Sequence, residues 1–160
     1  MVTRRCVRII HLDHMNDYRG YTKRLRGWTK QLGLAGVCFL PLHTSPRPRH
    51  VFVMLESTHD AMHSNGAEFM RRLRTEHVDK NSRGDPCHER MSSVSPEDIA
   101  ITGGAFSDVV GLEVVETAGT PSPASHFSFV RDWVQAAWKT DDADKIVSAM
   151  EALADSCRRR

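Results

Sequence analysis

The sequence has no CxxC pair, no glycine-rich phosphate loop of the GxGxxG or GxxxxGK[ST] type, and no GxSxG elbow. Those absences remove zinc fingers, phosphate-cradling loops and the hydrolase nucleophile from the reading. No uncharged run approaches the ~20 apolar residues that a helix needs to cross a bilayer. The basic start, residues 1–8, leads into no apolar stretch, because Arg8 and His11 interrupt it, so no secretory signal is read there. Cys6, Cys38, Cys87 and Cys157 are therefore expected as reduced thiols of an intracellular protein. Aromatics are scarce at 7%, and several must serve the core, which leaves few for stacking on bases. An excess of one charge is missing too. The 22 Lys and Arg stand against 20 Asp and Glu, and a net +2 is too mild to imply a polyanion partner by itself.

What is there is enough for a core. At 160 residues and 40% hydrophobic composition, the chain suits one domain (1–95) with a C-terminal extension (96–160) packing on it. Residues 6–12 (CVRIIHL), 35–42 (AGVCFLPL), 50–56 (HVFVMLE) and 90–94 (RMSSV) read as strands. Between the first two, Tyr21, Leu25, Trp28 and Leu32 recur at helical spacing, with Asn16 or Asp17 as cap and Gly33 as stop. A second helix is expected within 59–75, its buried stripe formed by Met62, Gly66, Phe69 and Leu73. Residues 44–49 form a proline-containing turn, 79–86 a polar turn, 95–104 a polar loop, and 118–125 a Pro, Thr and Ser linker. A fifth strand is expected within 106–116, and two amphipathic helices over 126–138 and 141–157.

The order β-α-β-β-α-β predicts an α+β fold: a ferredoxin-like split β-α-β antiparallel sheet with two helices on one face, plus a C-terminal helical extension. The other sheet face is left open unless that extension covers it. Acylphosphatases share this topology, but no phosphate-cradling loop follows the first strand here, and a fold does not carry an activity with it.

The charges are segregated. Arg19, Lys23, Arg26 and Lys30 repeat at offsets of 4, 3 and 4, two positions ahead of the core stripe and about 200° around the helix from it. With Arg24, they give residues 16–33 five cations against the single acid Asp17. Like charges at this spacing repel by a few tenths of a kcal/mol per pair, a cost that a polyanion would offset. A solvated helix face explains the same pattern without a ligand. Arg71, Arg72 and Arg74 crowd the end of the second helix, where cations also suit the helix dipole. In residues 78–91 (VDKNSRGDPCHERM), Lys80, Arg83 and Arg90 can face a ligand, or be tied internally by Asp79, Asp85 and Glu89. The terminal arginines, Arg4 and Arg5 and residues 158–160, read as frayed ends. Nine histidines include an i, i+4 pair, His59 and His63, without a third ligand. No catalytic residue, metal or cofactor is assigned.

Three pieces, 9–36, 51–57 and 69–91, resemble one domain family. It lies at the C-terminus of a spliceosomal tri-snRNP splicing factor of the pre-mRNA-processing class, and of some RWD-domain proteins. The resemblance spans about 7–94 and is most specific at 12–15 (LDHM) and 78–91. It implies a ferredoxin-like fold and, as in the splicing factor, binding to small nuclear RNA; a nuclear location goes with that. The expectation is a non-catalytic RNA-binding module of a ribonucleoprotein, using Arg19, Lys23, Arg26, Lys30, Arg71, Arg74, Arg83 and Arg90, with no membrane association. The alternative is a protein-interaction adaptor, as suspected for the RWD proteins in ubiquitin-like pathways.

Overall fold

A computed structural model describes residues 4–42, 48–101, 110–117 and 123–158. The fold is α+β. Strand β1 (Arg5–His14) leads into helix α1 (Tyr18–Gln31), and β2 (Ala35–Leu40) and β3 (Arg49–Thr58) follow. A continuous helical stretch comes next: α2 (His59–Ala61), a π-helical turn (Met62–Gly66) and α3 (Ala67–Thr75). Beyond it lie the two-residue strands β4 (Asp79–Lys80) and β5 (Pro86–Cys87), then β6 (Ser92–Val94), β7 (Ile99–Ile101), β8 (Gly111–Glu116), α4 (Pro123–Trp138) and α5 (Ala143–Arg158).

The main sheet runs β6-β1-β3-β2-β8, with β7 continuing β6's place along β1. Its first four positions carry the expected split β-α-β order, all antiparallel; β8 joins β2 in parallel and makes the sheet mixed. The expected fifth strand is thus present, though residues 102–109 lie outside the described residues, as do 43–47 of the proline turn and 118–122 of the linker. One correction concerns 95–104. Rather than loop throughout, Ile99–Ile101 pairs with Val7, Cys6 and Arg5, because the ten-residue β1 runs past the end of β6 and its free edge takes a second short strand. Another concerns Arg5: it is no frayed end but opens β1, its guanidinium paired with the buried carboxylate of Glu56.

Alternation along the strands supplies two cores. On one face Cys6, Ile10, Leu12, Val53 and Leu55 meet Tyr21, Leu25 and Trp28 of α1 and Phe69 and Leu73 of α3. Trp28 and Phe69 pack edge to face at 5.8 Å. Gly66, buried in the π turn, lies where a Cβ would stand 2.9 Å from Met62 Sδ and 3.0 Å from Arg8 Nη1. On the other face Val7, Ile9, Phe39, Phe52 and Met54 meet Val130 and Val134 of α4 and Ile146 and Met150 of α5. The C-terminal helices therefore cover the sheet face that the split β-α-β unit leaves open. Among the described residues no helix is long and apolar enough to cross a membrane.

Candidate nucleic-acid interface

Helix α1 is fixed at both ends. The Asp17 side chain caps it, accepting from Gly20 N–H at 3.2 Å. The buried carboxylate of Asp79 accepts from the backbone N–H of Asn16 and of Asp17 (2.8 Å), so the β4–β5 hairpin sits directly under the helix N-terminus. Asn16 Nδ2 donates to the Lys80 carbonyl at 2.7 Å, and Lys80 Nζ lies 3.8 Å from Asp17. At the far end Gly33 adopts φ +64°, the left-handed stop that glycine favours. There Asn65 Nδ2 donates to Leu32 O and Arg72 Nη1 to Gln31 Oε1.

On this anchored helix Arg19, Lys23, Arg24, Arg26 and Lys30 are all exposed. None of the five makes an ion pair with another described residue. The Arg19 guanidinium lies 5.6 Å from the Tyr18 ring centre, which holds it without neutralising it. Arg26 and Lys30 differ from the two cations before them. They border a cleft of about 600 Å³ whose other walls include the start of β8, Trp133 and Trp138, and which also holds Glu56 and Glu113. The stripe carries no acid on its own helix, but β8 brings one to its C-terminal end.

The remaining expected residues fall into two groups. Arg71 is held by Glu68 through two bonds of 2.8 and 2.7 Å, and Arg72 joins the same carboxylate at 3.2 Å. Those guanidinium hydrogen bonds bring the Glu68 carboxyl down to about 2. Arg74 borders a separate cleft beside the Arg8–Asp98 ion pair. Arg83 and Arg90 are exposed in the segment docked under α1; their backbone N–H groups donate to Asn81 Oδ1 and Glu89 Oε2, and neither guanidinium has an ion-pair partner among the described residues. Asp79 and Lys80 thus bring the 79–91 segment to the N-terminal end of α1, while Arg72 meets its C-terminal end through Gln31.

The sequence reading missed a second polar cluster, on the α4–α5 face. Cys157 Sγ lies 3.3 Å from His11 Nδ1, and His11 Nε2 lies 3.1 Å from His50 Nδ1. Burial, then His50, pushes the His11 imidazole down to about 4, so the ring is neutral at ordinary pH. Its partners stand 146 and 39 positions away, and no local spacing links them. Among the described residues no group of three or more His, Cys, Asp or Glu is placed to hold a metal.

No family model matches the chain, and no curated protein matches it. Among solved structures it is similar to full-length HypF in its phosphate- and nucleotide-bound form, at 11% identity and a TM-score of 0.45. That match covers 74% of this chain and 13% of HypF, so the chain spans about an eighth of that protein's length. A likeness at this level says nothing about activity.

Proposed function

We propose that this protein is a non-catalytic module that binds structured RNA through its phosphates, using the outer face of α1 and the 79–91 segment beside it. One observation supports the reading: five cations stand on a helix tied down at both ends, and none makes an ion pair with a described residue. A merely solvated face would be expected to offset some of that repulsion with internal acids, as Glu68 does for Arg71 and Arg72. Phosphates supply the missing counter-charge. The covering of the sheet by α4 and α5 favours recognition of backbone and duplex shape over stacking of bases on the strands. It also occupies the apolar stripes that an adaptor would have offered to a protein partner. The resemblance of 7–94 to the splicing-factor domain points to RNA among polyanions, and to a nuclear ribonucleoprotein as the setting.

The test is a titration of the parent and the K23E/R26E double variant with a structured RNA at several salt concentrations. The variant binds more weakly by a similar factor across sequences, because phosphate contacts position a ligand without reading it. Its salt slope is shallower by about one unit per lost contact. Equal affinities and equal slopes would leave α1 a solvated face.

A further inference from the structure

The segment that docks beneath α1 hides a group its architecture does not satisfy. Glu89 Oε2 accepts from the Arg90 backbone N–H at 3.2 Å, but Oε1 is buried without a hydrogen-bond partner among the described residues. The hydroxyl of Tyr21, on the fully buried face of α1, is likewise without one. The groups that act on Glu89 come from each element around it: Asp79 from β4, His14 from the end of β1, and the backbone at Arg90 and Met91. Glu89 in turn acts on Tyr21 of α1 and on Cys87 of β5. The Asp79 carboxylate is already engaged by the N–H groups of Asn16 and Asp17. Glu89 has no such duty on Oε1.

We propose that Glu89 is a proton-operated latch: protonated, it lets residues 85–90 stay seated under the N-terminus of α1, and ionised, it drives them off. A neutral carboxyl leaves no charge on the buried Oε1, which has no hydrogen-bond partner among the described residues. An ionised one sets a second carboxylate beside Asp79, with the Arg90 backbone N–H on Oε2 as the hydrogen bond that meets it. What holds the segment otherwise is slight. The β4–β5 ladder has two residue pairs, joined by Val78 N–H to Cys87 O (2.9 Å), Asn81 N–H to Asp85 O (2.9 Å), Asp85 N–H to Asn81 Oδ1 (3.0 Å) and Asp13 N–H to Met91 O (3.1 Å). Burial, with Asp79 adding to it, pushes the Glu89 carboxyl up to about 7, which sets the latch within the physiological range.

The sign follows from that direction. The seated segment holds its proton between the ordinary value of 4.5 and about 7, while the released one does not. Seating is therefore strongest in acid and is lost as pH rises through 7. Hydrogen exchange at the Val78 and Asn81 amides reads it, with the intrinsic pH dependence divided out. The opening constant climbs about tenfold per pH unit between pH 5 and 7 and then levels. In Glu89→Gln it stays flat, and the Leu34 amide, bonded to Thr29 O in the helix-end turn, shows no such climb in either protein. A flat profile in the parent, or the same climb in Glu89→Gln, overturns the proposal. Should that variant fail to fold, the carboxyl ¹³C shift of Glu89 in the parent decides alone: titration near 7 supports the latch, and titration near 4.5 ends it. None of these readouts involves RNA, so the latch and the RNA reading stand or fall separately.

Discussion

The two faces of the sheet are built from the same strands and finished differently. Under α1 and α3 the core is lined by apolar side chains, with the buried Asp79 carboxylate at its edge, and the cations of α1 lie outside. Under α4 and α5 the core takes in polar groups, His11, His50 and Cys157, while the helices outside carry a mixture of acids and bases, including the Arg131–Asp144 and Lys145–Asp142 pairs. The outer side of α1 thus presents cations without ion-pair partners among the described residues, whereas α3, α4 and α5 carry compensated pairs.

The largest effect expected from this comparison is on stability. Trp28→Ala on the first face and Phe52→Ala on the second should each cost about 3–5 kcal/mol in denaturant unfolding, the usual range for a large buried aromatic. Phe52 is fully buried against His11 and Phe127, and Trp28 is 7% exposed against Phe69. A Phe52→Ala cost below about 1 kcal/mol would make the second face a loose cover instead of a core.

The next effect is on pH. His11 is held neutral, its folded value near 4 against an ordinary 6.5, so the unfolded chain binds the extra proton between those limits. Its contribution is whole above 6.5 and is lost as pH falls to 4, a decline of about 2–3 kcal/mol. His11→Phe should remove that part of the acid slope in unfolding curves measured from pH 4 to 7. Glu89, on the side of α1, responds in the opposite sense, so the two sides of the molecule are loosened by opposite changes of pH.

How far the sequence foretold this division depends on the range of the signal. The α1 core stripe, its Asp17 cap and the Gly33 stop are local patterns with a period of 3.6, and all were legible. So were the strands, whose apolar residues alternate between two cores, and the two C-terminal helices. Ile99–Ile101 was hidden among polar neighbours, because three residues are too few to show alternation. The paired state of Arg71 was readable in principle, since Glu68 lies three positions before it. The Asp79 bonds to Asn16 and Asp17, and the Cys157–His11–His50 row, were not. They join residues brought together only by the sheet order, and no spacing in one sequence encodes them.

A smaller effect tests the seam where β8 joins. A Cβ on Gly36 would stand 2.7 Å from the Met54 carbonyl oxygen and 3.1 Å from Leu112 Cδ1. The first contact is backbone within a paired strand and cannot yield. Gly36→Ala should therefore destabilise by about 1–3 kcal/mol. Gly66→Ala meets only the ends of Met62 and Arg8 and should cost less. Equal thermal midpoints for the two would show that β3 and β8 can both give way around Gly36. The smallest stability effect belongs to the outer face of α1: K23E/R26E should stay within about 0.5 kcal/mol of the parent in the same unfolding curves.

The contact between Cys157 and His11 joins the last helix to the first strand. During synthesis on the ribosome, β1, β2 and β3 are complete long before α5 exists. In that interval Val7, Ile9, Phe39, Phe52 and Met54 form a naked apolar sheet surface, a state prone to aggregation. Until α4 and α5 dock, nothing among the described residues covers that surface.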